Sequence, residues 1–65
     1  MDKERVISIL SEQKAISTDA AARWLNNYII ENDTGKADTA YLIYTKYKAE
    51  ADIIAELLER IERGE

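Results

Sequence analysis

Three tyrosines, Tyr41, Tyr44 and Tyr47, recur at intervals of three beside Lys46 and Lys48. On a helix that spacing sets aromatic rings next to ammonium groups, a mixture able to stack on nucleic-acid bases or to anchor a protein contact. The same residues have a structural use, in which Tyr44 and Tyr47 line a core with their hydroxyls at its edge. Tyr41 then falls off the main stripe and is expected to face outward, toward a partner. Five carboxylates, Glu50, Asp52, Glu56, Glu59 and Glu62, could in principle bind a hard cation, but they are spread around the helix and interleaved with cations, so they are expected to be solvated surface. The chain has no His and no Cys, which removes imidazole general acid–base chemistry, a thiolate nucleophile and the usual transition-metal ligands. No serine stands in a nucleophile-elbow setting, and Asp33, Thr34, Gly35 and Lys36 are too few, and lack the ending, for a phosphate loop. No catalytic, cofactor-binding or metal-binding residue is expected, and the chain is not expected to be an enzyme.

The tyrosines belong to a longer stretch, residues 37–63, which no Gly or Pro interrupts. At 100° per residue, Ala40, Ile43, Tyr44, Tyr47, Ala51, Ile54, Leu58 and Ile61 fall in one sector, the pattern of an amphipathic helix lying on a core. Leu42, Ala49, Ile53 and Leu57 form a second apolar group on an adjoining sector that one packing contact would leave wet. Glu56 with Arg60 and Glu59 with Arg63 are i,i+4 pairs in the favourable order, each contributing a few tenths of a kcal/mol and marking an exposed face. Such a helix spans roughly 40 Å, more than two short companions can cover. Part of it should therefore project or meet a second chain.

Two such companions are expected upstream. The first runs from Asp2 or Lys3 to about Gln13, with Val6, Ile7, Ile9 and Leu10 on its apolar side. Lys14, Ala15 and Ile16 then lead to Ser17 and Thr18, either able to act as an N-cap, with Asp19 in the first turn. The second helix runs from about Asp19 to Glu31 with Ala21, Trp24, Leu25, Tyr28 and Ile29 on one face. Trp24, at the centre of the core, should cost about 3–5 kcal/mol on truncation to Ala. Asn32, Asp33, Thr34 and Gly35 supply a stop and a turn, with Gly35 suited to positive φ and Asp38 or Thr39 capping the third helix. Residues 39–47 are rich in β-branched and aromatic side chains and could form a strand. The unbroken helical period through Ile61 and the lack of a pairing partner favour helix.

These elements amount to an all-α, single three-helix domain over residues 1–65, two short helices packed on a long C-terminal amphipathic one. A core this small needs a supplement, and without Cys or His that supplement is oligomerisation. The expected function is a non-enzymatic interaction or regulatory module, an adaptor or inhibitor, that takes a protein partner and forms a homodimer through its C-terminal helix, using Tyr41, Leu42, Ile53 and Leu57. The alternative is a helix-turn-helix-like DNA-binding regulator presenting Thr18, Ala22, Arg23, Asn26 and Asn27, where Arg can read guanine and Asn adenine. The net charge of −4, and Asp19 at the end that would meet DNA, oppose it. Mimicry of nucleic-acid phosphates by the acidic third helix is opposed by the four cations that dilute it. No apolar run reaches membrane-spanning length and the amino end lacks the apolar stretch of a signal peptide, so a cytoplasmic protein is expected.

Overall fold

Between Lys3 and Ile30 there is no Gly or Pro, and in the computed structural model, which describes residues 2–64, this whole stretch is one helix, α1 (Lys3–Ile30). A second, α2 (Thr34–Glu62), follows after a connection of three residues, 31–33. The molecule is 47 Å long and 16 × 14 Å across. Helices of 28 and 29 residues fit those dimensions only if the second folds back along the first, as an antiparallel hairpin.

The three-helix expectation is thus corrected to two. Ser17 does not cap a helix; it is buried against α2, where its small side chain fits a close approach. Ser, Thr and Asp favour a cap only where backbone N–H groups lack an intrahelical acceptor, and in mid-helix every N–H already has one. Lys14 and Ala15 are good helix formers, so nothing opposes continuation through the supposed joint.

The helix ends follow local chemistry. Asp2 caps α1, its carboxylate accepting from the Glu4 N–H at 3.2 Å. Asp33 caps α2 by accepting from the Lys36 N–H at 3.0 Å. The second helix therefore starts ahead of the expected Asp38 or Thr39. Gly35 lies inside its first turn, and the positive φ expected there is found instead at Gly64, where α2 ends. Residues 39–47 are helical throughout. Replacing Asp33 with Ala leaves a first-turn donor without its side-chain acceptor, and urea denaturation should show a loss of about 1 kcal/mol; an unchanged midpoint would mean that the cap is idle.

Two helices share a single seam. Ser17 and Ala21 from α1, with Ala40, Ala51 and Leu58 from α2, are the buried residues along it. Small side chains let the backbones approach, and larger ones straddle the seam: Leu10, Trp24, Leu25, Ile43, Tyr44, Tyr47, Ile54 and Ile61 are all half-buried. No described large side chain is fully enclosed. Trp24 is half-buried rather than enclosed at the centre of the core, so its truncation should fall at the lower end of the range for an enclosed ring, about 3 kcal/mol.

Candidate association surface

Of the four residues expected to contact a partner, two come together. Ile53 and Leu57 stand one turn apart on α2 and are 59% and 43% exposed. Leu42 is 68% exposed but lies about three turns away, farther round toward the outer side of the helix. Tyr41 lies on the opposite flank of α2, its ring 5.1 Å from that of Tyr28 and 5.8 Å from that of Tyr44.

Ile53 lines a groove with Ile54 and Glu50 of α2 and with Leu10, Gln13 and Ser17 of α1. On α1, Ile9 and Ile16 stand four residues before and three after Gln13, which puts all three on one ridge. Ile9 is 44% and Ile16 54% exposed. Ile9, Ile16, Ile53 and Leu57 each lie about 100° from their own helix's buried stripe and turned in the same sense. Because the helices are antiparallel, that common sense brings all four to the same broad side of the hairpin. The i, i+7 spacing of Ile9 and Ile16 becomes visible only when residues 3–30 form one helix; a division after Gln13 puts them in separate segments.

The opposite side carries Ile29 and Tyr41, 68% and 45% exposed, at the connection end and is polar and small-residue in character toward the other end. Ser11, Ala15, Thr18 and Ala22 of α1 face Ala55, Glu59 and Glu62 of α2 across a shallow groove. On that flank of α2, Lys48 pairs with Asp52 at 3.1 Å, and Glu59 with Arg63 at 3.7 Å. The hydrogen bond from Lys48 to Asp52, and then the charge of that carboxylate, raise the Lys48 ammonium above its ordinary pKa. Arg60 meets Glu56 at 2.9 Å, as its spacing suggests. All these pairs are solvent-exposed i,i+4 contacts that add little stability.

The residues of the DNA-binding alternative do not converge. Thr18 and Ala22 line the polar groove, whereas Asn27 lines a different one near the connection, with Trp24, Lys36 and Thr39. Asn26 is exposed, and the Arg23 guanidinium is paired with Asp19 at 3.0 Å. The turn that would free a recognition helix is absent, since α1 runs straight through it.

The exposed area of the chain is 4986 Å². A compact monomer of this mass, 7.4 kDa, would expose about 4,200 Å² by the usual scaling of surface with mass. The hairpin thus shows about 800 Å² more than a compact chain would, close to one partner's share of a standard protein–protein interface. Among the described residues, no helix is long and apolar enough to cross a membrane. In comparisons with known proteins, the chain matches no family model, no curated protein and no solved structure.

Proposed function

We propose that this chain is a small non-enzymatic interaction module, of the adaptor or regulator kind, that works as a homodimer formed through the face carrying Ile53 and Leu57. The observation behind it is the cluster of large aliphatic side chains left in water on one side of a two-helix layer, where a soluble monomer would place polar residues. A second copy is the occupant that fits best. The excess area is close to one subunit's share of an ordinary interface, and a helical hairpin whose seam, among the described residues, encloses only small residues and Leu58 gains from a partner what its core lacks.

Sedimentation equilibrium at about 1 to 100 µM, the range in which a complex of this size commonly forms, should give a mass of twice the chain, and a strict monomer at the top of that range removes the proposal. Duplex DNA is the informative control ligand. Binding that is lost steeply between low and physiological salt, and weakened by Arg23→Ala, would instead support the DNA-binding alternative.

A further inference from the structure

Resting on the self-association proposed above, we infer how the two copies are arranged: the hairpins stack face to face as a four-helix bundle with both connections at the same end, so that Ile9 and Ile16 of one subunit meet Leu57 and Ile53 of the partner subunit.

Three observations lead there. First, a helix at the corner of a square bundle touches two neighbours at about a right angle to each other, so it needs two apolar stripes about that far apart. Both helices have them: a buried stripe facing the other helix of the same chain, and the Ile9–Ile16 or Ile53–Leu57 edge about 100° away.

Second, the apolar levels coincide. Leu10 shares a groove with Ile54, and Trp24 shares one with Ala40 and Ile43. Continuing that register sets Ile9 level with Leu57, and Ile16 within about one turn of Ile53. A two-fold axis running along the bundle keeps those levels together, so aliphatic meets aliphatic across the interface. A two-fold axis perpendicular to the bundle does not. At full overlap it lays Leu57 against the level of Thr39 and Ile9 against the level of Trp24, leaving Ile16, at mid-helix, level with its own copy; sliding the hairpins to rejoin the other aliphatic residues leaves both connections overhanging in water. In the favoured arrangement each helix also runs antiparallel to both of its neighbours.

Third, the surface in question is the one the monomer leaves open. It lies beside the Ile53 groove, and the ion pairs Lys48–Asp52 and Glu59–Arg63 are on the other flank of α2.

The chain has no Cys, so a single spin label at Asn32→Cys in the connection reports one distance per dimer. Pulsed electron–electron resonance should then show connections under about 30 Å apart, as expected when helix axes lie 8–10 Å from their neighbours and the labels add their tethers. A distance near or beyond the 47 Å length of the hairpin overturns the alignment while leaving self-association intact. Absence of dipolar coupling together with a monomeric mass overturns both. Ile16→Glu tests the share of α1: the residue is exposed in the single hairpin, so the fold survives, but a carboxylate set in the seam of each subunit should weaken dimerisation by at least about 100-fold. Ile29→Glu, on the opposite side and 68% exposed against 54% for Ile16, should leave it unchanged. Equal association by the Ile16→Glu protein and the parent would exclude α1 from the interface.

Discussion

Replacing Ile53 and Leu57 together by Glu is expected to convert the dimer to monomer at micromolar concentration and to lower the helical signal in circular dichroism along with it. Each of these aliphatic side chains, already about half covered in the hairpin, contributes about 1 kcal/mol more on entering a packed interface. Four of them per dimer come to about 4 kcal/mol, about half the free energy of a micromolar complex, and the carboxylates that replace them add the cost of burying charge. The sign of the stability change carries the test. Both residues are more than 40% exposed in the single hairpin, so their loss leaves its own seam intact, and Glu is a better helix former than Ile and a match for Leu. A chain that is natively monomeric should therefore be as stable as the parent, or slightly more stable, after the double substitution. A chain that depends on its second copy should melt earlier, and the parent's melting point should rise with protein concentration while the variant's does not. A variant with the parent's melting curve at every concentration would show that these side chains do nothing but meet water.

How far the sequence allowed this to be seen depends on what interrupts each helix. Along α2 the 3.6-residue period is uninterrupted, and Ala40, Ile43, Tyr44, Tyr47, Ala51, Ile54, Leu58 and Ile61 are all buried or half-buried, while Leu42, Ala49, Ile53 and Leu57 are all exposed. Periodicity alone sorts those positions because only one neighbour competes for them. On α1 the local signals conflict. Ser17, Thr18 and Asp19 have the composition of a helix start, and that composition does not say whether the preceding residues are already helical. Packing decides: Ser17 is the small residue that lets α1 approach α2, a use that no propensity scale records. The same conflict arises at Gly35. Its neighbours look like a turn, yet Asp33 accepts from the Lys36 N–H and draws Gly35 into the first turn of α2. The continuity of α1 matters for function as well, because the Ile9–Ile16 half of the apolar face exists only on an unbroken helix.

The hairpin's own seam should respond to substitution in the opposite way from its open face. Ala51 is 8% exposed and lies at the close approach of the two helices, whereas Ala49, two residues earlier and about 200° round the helix, faces water. Ala51→Leu adds three carbons at a buried position on the seam, near the level of the small buried Ser17, so the helices must separate or the new side chain must leave its preferred rotamer. Such overpacking costs about 1–3 kcal/mol, a large fraction of what a 65-residue chain can hold. Ala49→Leu makes the same chemical change on the outer side and should stay within about 0.5 kcal/mol of the parent. Equilibrium urea denaturation of the two variants at matched concentration measures the difference directly. Equal midpoints would mean that the helices do not pack closely at Ala51, and the two-stripe geometry on which the bundle depends would lose its first stripe. A deficit confined to Ala51→Leu fixes the orientation of α2 and thereby assigns Ile53 and Leu57 to the side that the second copy covers.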